Sequence, residues 1–163
     1  MNGEIGAESE LNKGSFFWIE VKFLKSVKNN NSIVMGDIKA TSQTLRILVA
    51  EDNIINQKVA MINLRQLGHS VEIAVNGQMT IDMFKKGDYD IVLMDIQMPI
   101  LDGMEATIAI RQYEKENKLL ETRIVAITAN AMKEDKDRCL EVGMNDYITK
   151  PFRSEDLIRI LSI

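Results

Sequence analysis

The sequence predicts an α/β protein in which five parallel strands form one doubly wound sheet with helices on both faces. From Leu45 onward, strand-like apolar runs alternate with amphipathic, helix-like stretches. Strict alternation is typical of β–α units, and their right-handed crossovers make the strand order 2-1-3-4-5 the natural arrangement. The predicted strands are residues 45–50, 70–75, 89–94, 122–128 and 146–149. The predicted helices are residues 53–67, 76–87, 103–118, 131–143 and 153–163.

Local patterns justify the individual elements. The apolar run from Ile91 to Met94 suits a strand that is buried on both faces, as in a parallel sheet. Residues 70–75 alternate in polarity, as a half-buried strand does; glycine follows the first helix and is the last residue of the second and fourth helices. The sequence YEKEN (113–117) indicates a solvated end of the third helix. The first helix is expected to bury one apolar stripe, made of Val59, Ala60, Leu64 and Leu67.

Composition and charge narrow the possible functions. The chain has 163 residues, of which 45% are hydrophobic and 27% are charged, and its net charge is −4. This acidic balance argues against direct binding to nucleic acid or to an anionic membrane. The single cysteine, Cys139, permits no internal disulfide, is expected in the core and suits a reducing compartment. With no signal peptide and no apolar run of about 20 residues, we expect a cytoplasmic chain, even if a longer parent protein is membrane-anchored.

The first 44 residues do not follow the β–α pattern. Residues 3–10 and 15–23 flank the sequence LNKG, which predicts a β-hairpin. The second strand of this hairpin has one apolar face, made of Phe17, Ile19, Val21 and Phe23. A lone hairpin does not bury such a face, so association between copies through the hairpin is an open expectation. We divide the chain into a hairpin segment (1–25), a polar linker (26–44) and a main domain (45–163).

Charged and polar residues follow four of the five predicted strands. Glu51 and Asp52 end the first strand, Asp95 the third, Thr128 the fourth and Lys150 the fifth. In a doubly wound sheet the carboxyl ends of the strands meet at one edge, where ligands bind. Crowded carboxylates call for a cation, and hard oxygen ligands suit Mg²⁺. A cation, a lysine and a hydroxyl around one carboxylate favour phosphoryl transfer, with Asp95 as the nucleophile.

Each of these residues also has an ordinary structural explanation. An acidic pair after a strand is usually a helix cap or a solvated turn. Thr128 alone would be a strand-end hydroxyl, and Lys150 alone would be a surface lysine before Pro151. The functional hypothesis depends on their joint placement at four strand ends of one sheet.

The segments that contain these residues resemble the motifs of one family. VAEDNIINQ, LMDIQMPILDG, AITANAM and DYITKPF are similar, in order and spacing, to the motifs of the receiver (response-regulator) domain. The resemblance runs from about Leu45 to the end of the chain and implies a flavodoxin-like fold. It also implies a signalling function in two-component systems and phosphorelays, in which Asp95 takes a phosphoryl group from a phosphohistidine. The chain would then catalyse its own phosphorylation and dephosphorylation.

The resemblance assigns roles around the metal. Asp52 would bind Mg²⁺ directly, Glu51 would assist through water, and the backbone carbonyl of Ile96 would be a further ligand. Glu51 occupies a position at which Asp is commoner in the family, so the metal affinity could differ. Lys150 would pair with Asp95 and afterwards with the phosphoryl group.

The resemblance also implies a conformational switch. Thr128 would hydrogen-bond the phosphoryl oxygen and Tyr147 would be the aromatic switch residue. Their movement would repack the surface of the fourth helix and the fifth strand. Gln97 and Asn130 flank the site and would influence the lifetime of the phosphoryl group.

The N-terminal segment resembles part of another family. Residues 1–23 are similar to the last hairpin of a histidine-kinase ATP-binding domain, but the nucleotide-binding boxes of that domain are absent from this sequence. The chain is therefore expected not to bind ATP and not to be a kinase by itself. The order of hairpin, linker and receiver is that of a hybrid sensor histidine kinase, of which this chain would be a fragment.

A separate donor of the phosphoryl group is expected. The one histidine, His69, falls in a turn at the far end of the sheet from the acids and is expected to be a plain turn or surface residue. The donor would be the phosphohistidine domain of a kinase or a histidine-phosphotransfer protein. A phosphotransfer partner would dock near the first helix, with Ile54, Ile55 and Gln57 as candidate contacts.

Two other functions remain open at this point. A phosphatase of the haloacid-dehalogenase type also uses an aspartyl nucleophile, but it needs a second Asp two residues later, where this chain has Gln97. A receiver-like domain that never accepts phosphate would serve only as an interaction module. The intact acids, Thr128 and Lys150 argue against that reading.

Overall fold

The structure is a computed structural model that describes residues 3–11, 13–21, 44–129 and 133–162. The chain divides into two compact units, Met1–Ile38 and Lys39–Ile163. The described part contains no helix that is long and apolar enough to cross a membrane. Most of the predicted linker (26–44) lies outside the described residues.

The first unit contains the predicted β-hairpin. Strands β1 (Gly3–Glu10) and β2 (Gly14–Val21) pair in antiparallel register, with Ile5 opposite Ile19. The predicted apolar face exists, because alternate residues of both strands point to one side of the sheet. Its members Ile5, Phe17, Ile19 and Val21 are all exposed, and Phe23 lies outside the described residues.

The second unit confirms the predicted fold class. A parallel sheet of five strands has the order β4-β3-β5-β6-β7, which is the predicted 2-1-3-4-5 arrangement. Its strands are β3 (Arg46–Ala50), β4 (Ser70–Ala74), β5 (Ile91–Asp95), β6 (Arg123–Thr128) and β7 (Asp146–Thr149). The helices are α1 (Ile54–Gln66), α2 (Gly77–Phe84), α3 (Gly103–Asn117), α4 (Lys133–Glu141) and α5 (Ser154–Leu161).

Two apolar clusters pack on the sheet. One joins the sheet residues Ile47 and Val49 to residues of α1 and α5, and the other joins Leu48 and Met94 to residues of α2, α3 and α4. Because neighbouring residues of a strand point to opposite faces, both faces of the central strands are buried. Cys139 of α4 is buried in the second cluster, as predicted.

The predicted apolar stripe of α1 is partly wrong. Ala60 and Leu64 are buried and Leu67 packs against the core, but Val59 is 44% exposed. A helix turns by about 100° per residue, so Val59 is rotated away from the other three. Val59 instead continues an exposed row with Ile55 and Ile62 at positions i, i+4 and i+7.

Two further sequence-based expectations are wrong about exposure. Glu114, within the supposedly solvated segment YEKEN, is 1% exposed. His69 lies in a turn, as expected, but it is buried, and its Nδ1 accepts the backbone N–H of Leu45 at 3.3 Å. Burial lowers the pKa of His69, so the neutral ring that can accept this hydrogen bond is favoured.

Candidate functional site

The fold brings three carboxylates to one edge of the sheet. β3 ends just before Glu51 and Asp52, and the neighbouring strand β5 ends in Asp95. One ligand oxygen from each carboxylate lies within 4.8 Å of the other two. Glu51 and Asp95 are buried, whereas Asp52 is exposed. This set of oxygen ligands fits a hard divalent cation such as Mg²⁺.

Lys150, which follows β7, supplies the positive charge that the sequence predicted. Its Nζ lies 2.6 Å from Asp95 Oδ2 and 2.6 Å from Glu51 Oε2. The second oxygen of Asp95, Oδ1, accepts the backbone N–H of Gln97 at 3.2 Å. The peptide bond between Lys150 and Pro151 is cis. Lys150 therefore connects the strand end that carries Asp95 with the one that carries Glu51.

Burial and charge act in opposite directions on this pair. Burial raises the pKa of Asp95, the Glu51 carboxylate raises it further, and the hydrogen bond and charge of Lys150 only partly offset the rise. Burial alone would lower the pKa of Lys150, but the bonds and charges of Asp95 and Glu51 outweigh burial and raise it. The lysine thus stays protonated beside a carboxylate that needs a cation.

The N-terminus of α1 holds Glu51 in place, a feature that the sequence patterns did not predict. Glu51 Oε1 accepts the N–H of Asn53 at 3.2 Å and the side-chain amide of Asn56 at 3.0 Å. The side chain of Gln57 donates to the backbone carbonyl of Glu51 at 2.7 Å. Asn53 also caps α1 by accepting the N–H groups of Ile55 and Asn56. Asn56 could have been identified as a residue near the site, because it lies in the first turn of the helix that begins there.

The start of α3 fits closely against β5. A side chain at Gly103 would collide with the backbone carbonyl of Asp95, so only glycine allows this approach. The N–H of Gly103 donates to the carbonyl of Ile96 at 3.0 Å. Asp102 caps α3 by accepting the N–H of Glu105 at 2.8 Å. These contacts fix the loop that follows Asp95.

The remaining predicted residues lie around the same edge. Thr128 is buried at the end of β6 and Ile96 lies beside Asp95; both line a cleft of about 830 Å³ around the three carboxylates. Gln97 lines it as well, and Asn130 lies outside the described residues. Tyr147, in β7, does not line the cleft, and Lys136 Nζ lies 4.3 Å from the centre of its ring.

The predicted partner contacts divide into two groups. Ile54 and Ile55 are 63% and 67% exposed at the start of α1, next to the cleft. Gln57 is only partly exposed, and its amide is bound to Glu51 as described above. Val59 and Ile62 extend the exposed apolar row along α1. We call Ile54, Ile55, Val59 and Ile62 the α1 surface.

The fold and the site together define a doubly wound α/β domain with an acidic, metal-competent cleft at the carboxyl ends of its strands. Residues 47–162 match the model of the response regulator receiver domain. The chain therefore belongs to the receiver domain family.

Relatives of this chain are much longer proteins. It is 39% identical to hybrid signal transduction histidine kinase K of Dictyostelium discoideum over 96% of this chain, which corresponds to 14% of that kinase. It is 40% identical to histidine protein kinase 1 of Candida albicans over 87% of this chain and 6% of that protein. The chain thus spans a small fraction of the relatives that it matches.

Solved structures share the fold. One is a receiver domain of the response regulator Ssk1 of Saccharomyces cerevisiae, in complex with the histidine phosphotransfer protein Ypd1. It is 37% identical, with a TM-score of 0.68, and the match covers 70% of this chain and 83% of that one. Another is the receiver domain of the sensor histidine kinase PA1611 of Pseudomonas aeruginosa, with a magnesium ion in its active-site cleft. It is 41% identical over 73% of this chain and 95% of that one, with a TM-score of 0.65.

Proposed function

We propose that this domain accepts a phosphoryl group on Asp95 in a Mg²⁺-dependent phosphorelay. The observation that carries the proposal is the contact of Asp95 with Lys150 at 2.6 Å, inside a cluster of three carboxylates. A carboxylate, a fixed ammonium and a cation site are the groups that phosphoryl transfer to an aspartate requires. The phosphorelay role is supported by the hybrid histidine kinases among the relatives.

In the proposed reaction Asp95 is the nucleophile. One of its carboxylate oxygens forms a bond to phosphorus, while the bond from phosphorus to the donor atom breaks and the leaving group keeps that electron pair. With a phosphohistidine donor the bond that breaks is P–N, and the imidazole takes up a proton. The ammonium of Lys150 offsets negative charge on the transferring oxygens, and the Thr128 hydroxyl donates a hydrogen bond to one of them.

Asp52, Asp95 and the carbonyl of Ile96 would hold Mg²⁺, with Glu51 acting through water. The exposed position of Asp52 and the buried position of Glu51 agree with this division, because Glu51 already binds Lys150, Asn53 and Asn56. Bound Mg²⁺ would supply charge neutralisation for the transferring phosphoryl group. The magnesium ion in the cleft of the Pseudomonas receiver domain supports this assignment.

We infer that Thr128 and Tyr147 report the state of Asp95 to the surface. Thr128 lines the cleft, and Tyr147 lies on the neighbouring strand β7, where Ala126 pairs with it. A change at Thr128 therefore reaches the packing between α4 and β7. In this proposal, phosphorylation of Asp95 is a local charge change that shifts the equilibrium between two arrangements of the surface formed by α4 and β7.

Metal dependence tests the proposed function. We expect the wild-type protein to gain one phosphoryl group in intact-mass measurements after incubation with acetyl phosphate and Mg²⁺. Replacing Mg²⁺ by EDTA should remove the gain, because three carboxylates then repel the anionic donor. Binding of beryllofluoride with Mg²⁺, measured by calorimetry, separates a reactive site from a pure interaction module. A protein that neither gains the phosphoryl group nor binds beryllofluoride would contradict the proposal.

We further propose that a histidine-phosphotransfer protein docks on the α1 surface. This surface is apolar and exposed, and α1 begins at the cleft, so a partner bound there can reach Asp95. The complex of the Ssk1 receiver domain with Ypd1 supports such a partner. Gln57 would act indirectly, by fixing the loop that carries Glu51.

A charge on the α1 surface should affect the protein donor selectively. For Ile55→Glu two rates are compared: transfer from a phosphorylated phosphotransfer protein and transfer from acetyl phosphate. We expect the ratio of the first rate to the second to fall at least tenfold, because the variant would bury an unpaired carboxylate at the interface. Ile108→Glu makes the same change at a half-exposed residue of α3 and serves as the control. Equal ratios in the two variants would place the docking surface elsewhere.

The hairpin of the first unit would be the end of a histidine-kinase ATP-binding domain in a hybrid parent protein. Its exposed apolar face needs a cover, and the preceding residues of such a domain would supply it. The match to the Dictyostelium kinase, which extends over 96% of this chain, supports this organisation. In this proposal residues 1–25, 26–44 and 45–163 are the hairpin, the linker and the receiver.

A further inference from the structure

Arg138 is a second cation on the wall of the cleft around Asp95. It lies on α4, its side chain is exposed, and it lines the cleft together with Lys150. Among the side chains that the structure describes, which do not include those of residues 133–135, no carboxylate lies within ion-pair distance of its guanidinium. Arg138 lies in the last turn of α4, and its long side chain lines the cleft because side chains of a helix lean back towards the N-terminal end, which here follows β6.

The charges of the cleft show what Arg138 adds. Four carboxylates line it, those of Glu51, Asp52, Asp95 and Asp102. Lys150 offsets one of these charges and is already bonded to two carboxylates at 2.6 Å. A divalent cation would offset two more, so only Arg138 brings the described lining to neutrality. An incoming phosphoryl group carries up to two negative charges at neutral pH and would meet net repulsion without it.

Resting on the proposed function, we propose that Arg138 is an anion-binding residue that contacts the phosphoryl oxygens of the incoming donor. The planar guanidinium donates two parallel hydrogen bonds to phosphate oxygens, a geometry that the lysine ammonium does not offer. Arg138 captures and orients the donor above Asp95, and Lys150 stays with the carboxylates during capture. Lys150 thus pairs with the acceptor carboxylate, and Arg138 binds the phosphoryl group of the donor.

Arg138 also has an ordinary structural explanation, which the control variant must address. Arg138 is the basic residue in the last turn of α4, where a cation interacts favourably with the helix dipole. Arg65 has the same position in the last turn of α1, is exposed and does not line the cleft. Arg65→Gln is therefore a matched control for Arg138→Gln, because both changes remove one exposed arginine from a helix end.

The test compares wild type, Arg138→Gln, Arg138→Lys and Arg65→Gln by calorimetry and by phosphorylation kinetics. For Arg138→Gln we expect Mg²⁺ to bind about twofold more tightly, because a repelling charge has gone. Beryllofluoride affinity and the phosphorylation rate at low acetyl phosphate should fall about tenfold, because one charge-assisted contact is lost. Both effects should shrink in high salt. Arg138→Lys should keep the Mg²⁺ affinity of wild type and an intermediate rate, and Arg65→Gln should match wild type.

Anion binding by Arg138 predicts that Arg138→Gln raises the affinity for Mg²⁺ and lowers the affinity for beryllofluoride, whereas a structural role does not predict these opposite changes. If Mg²⁺ and beryllofluoride affinities of Arg138→Gln fall together, or if both equal those of Arg65→Gln, the inference is overturned while the proposed function stands. If wild type itself binds no beryllofluoride and gains no phosphoryl group, the proposed function falls first and this inference falls with it.

Discussion

Asp95→Asn should gain no phosphoryl group under conditions in which the wild-type protein gains one. The carboxamide is a far weaker nucleophile than a carboxylate, so the step in which oxygen bonds to phosphorus is lost rather than slowed. The measurement is intact mass after incubation with acetyl phosphate and Mg²⁺, with both proteins treated in parallel. Mg²⁺ affinity should fall as well, since one of the three clustered carboxylates has gone.

The fold of this variant should remain intact. Burial raises the pKa of Asp95, so the ionised form costs folding free energy at neutral pH, and a neutral amide removes that cost. Lys150 keeps Glu51 as its partner at 2.6 Å. The unfolding midpoint should therefore be no lower than in wild type. This comparison distinguishes a lost acceptor from a lost fold.

Asp90→Asn provides the matched control. Asp90 precedes β5, and its Oδ2 accepts the backbone N–H of Arg46 at 2.7 Å, a bond that asparagine can also accept. The same substitution is thus made beside the same strand, at the end opposite to the cleft. Asp90→Asn should gain the phosphoryl group as wild type does. A gain in Asp95→Asn equal to that of the control would mean that another residue is the acceptor.

The main elements of the fold and site could be predicted because they depend on local patterns. Five alternating β–α units leave few topologies, and parallel strands bring their carboxyl ends to one edge. Asp95 and Lys150 are 55 residues apart in sequence, yet Asp95 ends β5 and Lys150 directly follows β7 in the same sheet, so their contact follows from topology. The position of any residue at or next to a strand end can be predicted in the same way.

Residues whose environment depends on packing between helices could not be predicted in the same way. Val59 has the polarity of a core residue but points outward, because the rotation of α1 is set by Ala60 and Leu64. Glu114 has the polarity of a surface residue but is buried. Arg138 reaches the cleft only through the placement of α4 against β7. No periodicity within one segment contains this information.

The buried carboxylate of Glu114 is stabilised by hydrogen bonds to both of its oxygens. Its Oε2 accepts Nη1 of Arg111 at 2.6 Å, and its Oε1 accepts the backbone N–H of Thr122 at 2.7 Å. Arg111 also donates to the carbonyl of Gly143 at 2.9 Å and to Oδ1 of Asn145 at 2.9 Å. One network around the buried Glu114 thus ties α3 to the loop before β6 and to the loop before β7, the strand that carries Tyr147.

Arg111→Met should destabilise the domain by about 3–5 kcal/mol, because it leaves Glu114 as an uncompensated buried charge. Urea unfolding followed by far-ultraviolet circular dichroism measures the change; the fluorescence of Trp18 would not, since that residue belongs to the hairpin unit. Arg46→Met is the control, because the pair of Arg46 with Glu72 is half exposed at 3.6 Å. Its cost should be about 1 kcal/mol or less.

The double variant Arg111→Met/Glu114→Gln decides whether the unpaired charge is the cause. Glutamine removes the charge and still offers an oxygen to the N–H of Thr122, so the double variant should be more stable than Arg111→Met alone. If the double variant is no more stable, the loss comes from the bonds of Arg111 to Gly143 and Asn145. In that case the guanidinium acts as a brace between α3 and the loop before β7, and Glu114 merely orients it.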